Sequence, residues 1–444
     1  MRLATPIAAG MIFQTMYYLV DLFFVARLGG TAIAGVSAAG NVQFIIMALT
    51  QVLGVGTMVL ISHAAGRKDR ADANLIYNQS LLMAAVCGAF TLFAGFGLAP
   101  WYLGTISADA ATLDVGLTYL RWFTPGMALQ CALISMGSAL RGTGIAKPTM
   151  VVQVLTVVLN MILAPILIAG VGTGRPMGVA GAGLASSIAV VVGVVMMFAY
   201  FERLEKFVGF DASLFKPRMS AWKRVLKIGL PAGGEFALMF LYMAVVYWSI
   251  RAFGPEAQAG FGVGGRVMQA VFLPAMAVAF AAAPVAGQNF GAGEHDRTRK
   301  AFSSAVVIGT SIMLLLTIVI QLEGERMVRF FTRDAGVVAV ATAFLHIISF
   351  NFVASGVIFT CSSMFQAVGN TMPSVISSGT RLLTFAIPAV YLSSRPGFQL
   401  RHIWILSVAT VALQLVVSLL LLRNEFRKRL TPADASLAPA PAGA

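Results

Sequence analysis

The chain has 444 residues, of which 58% are hydrophobic and 11% charged, and its formal net charge is +14. A soluble domain covers itself with about 25% charged residues, so this composition excludes an ordinary soluble protein. Continuous apolar runs also exclude a transmembrane β-barrel, whose strands alternate polar and apolar residues.

A bilayer core takes about 20 apolar residues per helix. Apolar runs bounded by charge clusters predict twelve helices, near 4–26, 32–62, 75–99, 117–140, 150–170, 179–201, 228–251, 258–288, 301–322, 336–365, 374–393 and 402–423. The first run is long and ends at Arg27, so no cleavable signal peptide is expected. Alternate loops share a side. One set carries Arg67, Lys68, Arg70, Arg141, Lys147, the cluster from Arg203 to Lys227, Arg297, Arg299, Lys300 and the cluster from Arg423 to Arg429. The other carries far fewer basic residues, so the rich side and both termini are expected in the cytoplasm, across a cell inner (plasma) membrane. Trp101, Trp248 and Trp404 fall near the outer span ends, as an interfacial belt requires. Basic loops at a membrane surface leave no case for nucleic acid. Cys87, Cys131 and Cys361 lie inside apolar runs, with no disulfide framework or metal cluster.

The stretch 202–227, "ERLEKFVGFDASLFKPRMSAWKRVLK", is basic and amphipathic, and predicts a linker helix lying on an anionic lipid surface. The Ala/Pro-rich tail after Leu430 predicts disorder.

The sequence also repeats itself at an offset of 225. Pro6 matches Pro231, Gly29 matches Gly254, Gly66 matches Gly291, Asp109 matches Asp334, Gly144 matches Gly369 and Pro148 matches Pro373. The expected fold is therefore an all-α integral membrane bundle of two pseudo-symmetric six-helix lobes. They span 1–201 and 228–423, joined by the cytoplasmic linker 202–227 and followed by a tail, 424–444. Parallel repeats related by an axis along the membrane normal are a transporter architecture.

Of the acidic residues, only Asp21 and Glu235 fall inside apolar spans. A carboxylate in hydrocarbon is costly unless protonated, paired or hydrated, which makes it a functional candidate by default. Such a group can exchange a proton or hold sodium as access alternates. Gln14 and either Tyr17 or Tyr18 share a helical face with Asp21. Glu235 follows Pro231 by one turn, with Tyr242 further along its face. In the fifth span, Gln153, Thr156 and Asn160 form one polar stripe. Arg266 and Arg381 are basic residues within spans, which pair with acids or snorkel to an interface. His346 reads as packed or lumen-facing.

The sequence resembles the multidrug and toxic compound extrusion (MATE) transporters over nearly its whole length. Pro6, Gln14, Asp21 and Leu28-Gly29 of the first helix, the "RGTG" turn with its "QAVG" partner, and "NMILAPILI" carry the resemblance. It implies a twelve-helix, two-lobe, V-shaped, cation-coupled exporter. In that family the first-helix aspartate, here Asp21, is a coupling residue whose protonation is proposed to bend the helix near a proline placed as Pro6 is. A glutamate in helix seven, here Glu235, belongs to the C-terminal cation site in several branches. Asn160 matches a polar position near the aspartate, and Ser186 stands where a family hydroxyl is found. One branch reads Asn-x-x-x-Asp-Pro, whereas this chain has Ala164 before Pro165, so the second carboxylate is missing. One carboxylate with neutral oxygens suits a proton better than sodium.

These residues predict a monomeric secondary antiporter that exports small amphipathic, often cationic, organic compounds against protons or sodium, with no other cofactor. Asp21, Glu235, Asn160 and Gln14 are its cation-coupling candidates. Pro6, Tyr18, Gln153, Thr156, Ser186 and Tyr242 are candidates for the substrate pocket or the helix bend. The alternative is a flippase for lipid-linked oligosaccharide precursors, which Arg266 and Arg381 favour and the two lone acids oppose. An embedded enzyme would need a nucleophile–base pair or metal cluster, and no such motif is present.

Overall fold

The computed structural model describes residues 4–106, 109–172, 174–393 and 395–430; the side chains of residues 14–23, 26, 41, 44 and 106 lie outside the description. Among the described residues all regular structure is helical, because a chain in hydrocarbon must satisfy its backbone internally. The N-terminal half comprises α1 (Ala4–Ala26), α2 (Gly30–Gly66), α3 (Arg70–Phe93), α4 (Ala99–Ile106), α5 (Ala110–Gly142), α6 (Lys147–Ala169) and α7 (Val179–Arg203). The C-terminal half comprises α8 (Met219–Ile250), α9 (Pro255–Gly291), α10 (His295–Arg329), α11 (Ala335–Ile348), α12 (Asn351–Ala367), α13 (Met372–Ser393) and α14 (Leu400–Arg429). A π-helical turn, Ala94–Leu98, joins α3 to α4 into one span.

Ten described segments are long and apolar enough to cross a membrane, and the bent pair α11/α12 makes an eleventh. The 23 residues of α1 give the length of a twelfth. Helix bounds repeat at the sequence offset: α2 begins at Gly30 and α9 at Pro255, α5 at Ala110 and α11 at Ala335. So do the turns. Gly29 and Gly254 have φ of 107° and 87°, Gly144 and Gly369 have 88° and 74°, and Lys68 shares the left-handed region with Gly293, at 60° and 76°. Asp109 and Asp334 cap equivalent helices, accepting from the Thr112 and Val337 amides at 2.7 and 3.0 Å.

The repeat breaks down instructively at one helix. The tenth span is expected as one run but bends by 59° between α11 and α12. Gln321 of α10 donates to the His346 carbonyl and to the Ser349 hydroxyl, both at 2.8 Å, and Thr317 donates to the Ser349 carbonyl at 3.1 Å. These side chains satisfy the backbone groups that a bend exposes. At the equivalent place in the other half, α5 continues through Pro125. There Ser187 of α7 donates to the Trp122 carbonyl at 2.5 Å and accepts from the Gly126 amide at 3.1 Å.

The linker differs from the expected surface helix. Within 204–218 only the short turn Ala212–Phe215 is helical, and α8 already begins at Met219. Buried amides of α3 hold this strap. Asn78 donates to Gly209 O at 3.0 Å and accepts from the Asp211 amide at 2.9 Å. Gln79 donates to Leu214 O and Lys216 O at 2.6 and 2.8 Å, and accepts from the Arg218 amide and Trp222 Nε1 at 2.9 and 2.8 Å. Its side chain is thereby fully satisfied. Gln79→Ala removes four partly buried contacts and is expected to cost about 1–3 kcal/mol, seen as a lower melting temperature in detergent. Gln79→Glu keeps the two acceptor contacts and loses less. Trp404 also departs from the expected belt: it is 2% exposed and stacks on Phe261.

The lobes meet at the basic end. Asp72 of α3 takes Arg224 of α8 in a two-pronged pair at 2.7 and 2.8 Å. A Cβ built on Gly56 would stand 2.5 Å from Val225 O, so α2 and α8 touch backbone to backbone there. The same closeness recurs where α2 crosses α9: a Cβ on Gly66 would collide with the Gln288 carbonyl, and one on Gly291 with the His63 carbonyl. Two equivalent bonds flank the crossing. His63 Nε2 lies 2.7 Å from Ala367 O, and Gln288 Nε2 donates to Gly142 O at 2.8 Å. His63 and Gln288 are equivalent by the offset, as are Gly142 and Ala367, so each lobe closes the basic end with the same contact. Further along these helices, Gly40 and Gly265 have nothing within 4 Å of a built Cβ.

Candidate functional site

In the N-terminal lobe, α1 packs against α6. The Gln14, Tyr18 and Asp21 side chains lie outside the described residues, although their backbone is helical. Gly10, on the same helix, faces α6 closely enough that a Cβ there would stand 2.9 Å from Gln153 Oε1. One turn later, the Thr156 hydroxyl turns back onto the Gln153 carbonyl at 2.9 Å, and its methyl would meet a Cβ on Gly193 of α7 at 2.9 Å. Thr156 thus serves the α6–α7 contact.

Asn160 and Ser186 are both 0% exposed. Asn160 Nδ2 donates to Ser186 Oγ at 3.3 Å, while Asn160 Oδ1 is buried without a hydrogen-bond partner among the described residues. An orphaned carbonyl oxygen in a dry interior is costly. With a hydroxyl beside it, it supplies neutral oxygen ligands of the kind that a proton carrier or a small cation requires.

Pro6 lies in the first described turn of α1. Its repeat partner Pro231 sits inside α8 and interrupts the hydrogen-bond ladder one turn before Glu235. Glu235 is half-buried, and its Oε1 accepts from Ser362 of α12 at 2.9 Å. Tyr242, two turns on, holds Ser407 of α14 at 3.0 Å and lies under Arg381 of α13, whose Cζ is 4.2 Å from the ring centre.

Sequence reasoning missed Ser362 and Ser407, which nothing local distinguishes from other small residues in spans. It also missed a bridge between Gln43 Nε2 of α2 and Gln130 Oε1 of α5 at 3.0 Å, with Gln43 Oε1 buried and unpartnered. Two glutamines inside apolar runs could have signalled that one. Among the described residues, no cluster of three metal-ligating side chains is present.

Comparison with known proteins agrees with this architecture. The MatE family model matches residues 6–166 and again 231–392, two copies set apart by the repeat offset. The multidrug export protein MepA of Staphylococcus haemolyticus is 25% identical over 446 residues, covering 98% of this chain and 95% of its own. The probable multidrug resistance protein YoeA of Bacillus subtilis is 22% identical over 417 residues, covering 93% and 90%. Among solved structures, a MOP-superfamily transporter of Pyrococcus furiosus superposes with a TM-score of 0.90 at 25% identity, covering 97% of this chain and 96% of that one. A multidrug resistance MATE transporter in an outward-facing conformation gives 0.88 at 25% identity, covering 96% and 95%. With its two lobes each matched by the family model and the whole chain aligned to multi-span transporters, this protein is a member of the MatE family of membrane transporters.

Proposed function

We propose that the protein is a secondary antiporter that exports small amphipathic, often cationic, organic compounds in exchange for protons, with its basic end and both termini in the cytoplasm. The observation that carries this reading is the buried pair Asn160–Ser186. Its orphaned Oδ1 sits on the helix packed against α1, which bears Asp21. One acid with neutral oxygens holds a proton readily, whereas sodium wants several oxygen ligands. Export names among the relatives support the substrate class. Closure at the basic end supports a resting form that faces outward.

Cells stripped of their own efflux pumps and expressing this protein are expected to accumulate less ethidium. Asn160→Leu, which removes both polar atoms while keeping the number and branching of side-chain heavy atoms, is expected to insert normally and lose about tenfold in efflux rate, in line with coupling energies of about 1–3 kcal/mol. Undiminished efflux in that variant removes the amide from the mechanism.

A further inference from the structure

Arg381 stands midway along α13, where a charged side chain is expensive and marks function by default. A guanidinium carries five N–H donors. Here its one described side-chain contact is the face of Tyr242, and Nε is buried without a hydrogen-bond partner. No carboxylate among the described residues lies within ion-pair distance of it. Glu235 is two helical turns from Tyr242 and is engaged by Ser362. The residue as a whole is half-buried, not sealed in the core.

The repeat sharpens the point. By the offset of 225, Arg381 occupies the place of Thr156, Phe385 that of Asn160, Val246 that of Asp21 and Val411 that of Ser186. The acid, the amide and the two hydroxyls of the N-terminal lobe are thus replaced by two valines, a phenylalanine and a fixed cation. At these equivalent positions the second lobe thus carries a positive charge in place of neutral and acidic oxygens, while its own acid, Glu235, lies elsewhere on α8. Phe385 is fully buried with its ring 4.9 Å from that of Tyr242, and Ser407 fixes the Tyr242 hydroxyl. The result is an aromatic shelf beneath an unpaired, planar donor fork, a combination that suits a carboxylate on an aromatic body.

We propose that Arg381, laid over Tyr242, is the anion-recognising residue of a subsite between α8, α13 and α14, so that the transporter favours zwitterionic aromatic amphiphiles bearing a carboxylate over their purely cationic counterparts. This rests on the export reading and narrows its substrate class.

Rhodamine 110 and its methyl ester, rhodamine 123, share one aromatic body and differ in the free carboxylate. Their binding to the purified full chain in phosphatidylcholine nanodiscs, read by fluorescence polarisation, tests the subsite without requiring transport. Wild type is expected to bind rhodamine 110 more tightly. Arg381→Gln is expected to lose about tenfold for rhodamine 110 and nothing for rhodamine 123. Arg381→Lys, which keeps the charge and secures a folded comparison, loses an intermediate amount for rhodamine 110 alone. Equal losses for both dyes, or none, overturn the proposal. So does a wild type that retains phosphatidylglycerol through Arg381 while showing no preference between dyes, since the oxyanion is then a lipid headgroup. Binding of rhodamine 123 in preference to rhodamine 110 overturns the subsite and leaves export standing; binding of neither dye overturns both.

Discussion

Replacing Glu235 by glutamine, or Asp21 by asparagine, is expected to abolish gradient-driven export while the protein still inserts and folds. Both changes preserve shape and remove only the ability to exchange a proton. Glu235 makes the cleaner test of geometry. Ser362 donates to its Oε1 at 2.9 Å, and the carbonyl of a glutamine accepts the same bond. Lost transport in that variant therefore reports charge, and not a broken contact. Pro231, one turn earlier, leaves the α8 ladder interrupted where the acid sits, so its position responds to small changes in helix geometry. Asp21 lies on α1, which packs against α6, the helix that carries Asn160. Each single variant is expected to lose tenfold or more in initial rate, since coupling energies of about 1–3 kcal/mol correspond to about 5–150-fold. Counterflow with no gradient imposed is affected far less.

The second large effect lies at the closed end. Gly66→Val and Gly291→Val each drive a side chain into a backbone carbonyl across the α2–α9 crossing. Backbone cannot yield as a flexible side chain does, so the helices must part. Overpacking of this kind costs about 1–3 kcal/mol, and that cost falls only on the conformation in which the crossing is made. The balance shifts toward a form open at the basic end by about tenfold or more. A single cysteine placed at Ser62, which a Cβ on Gly287 would touch, should then react faster with a soluble thiol reagent applied from that side. An unchanged labelling rate denies that this crossing is the seal. Because the His63 and Gln288 bonds are equivalent, losing either one alone is expected to weaken closure by a similar amount.

The spans, the repeat and the basic side were legible because each follows from a local property, such as apolar length, matched landmarks or loop charge. The bend between α11 and α12 was not. The segment Ser349-Phe350-Asn351 contains neither glycine nor proline, and what stabilises the break is Gln321 and Thr317 of a different helix. The strap was misread for a related reason: the amphipathic pattern of 202–227 suits a lipid surface equally well, and the side chains that hold it, Asn78 and Gln79, lie more than a hundred residues earlier. Glu235 and Asn160 stood out because polarity inside an apolar run is conspicuous. Thr156 stood out for the same reason, yet its packing on Gly193 turns it toward α7.

The most direct test is transport in proteoliposomes with proton and sodium gradients imposed separately. A proton gradient alone is expected to drive dye movement in the wild type, a sodium gradient alone to drive none, and Asp21→Asn to eliminate the response. Gradient-driven transport that persists in both Asp21→Asn and Glu235→Gln would contradict the account.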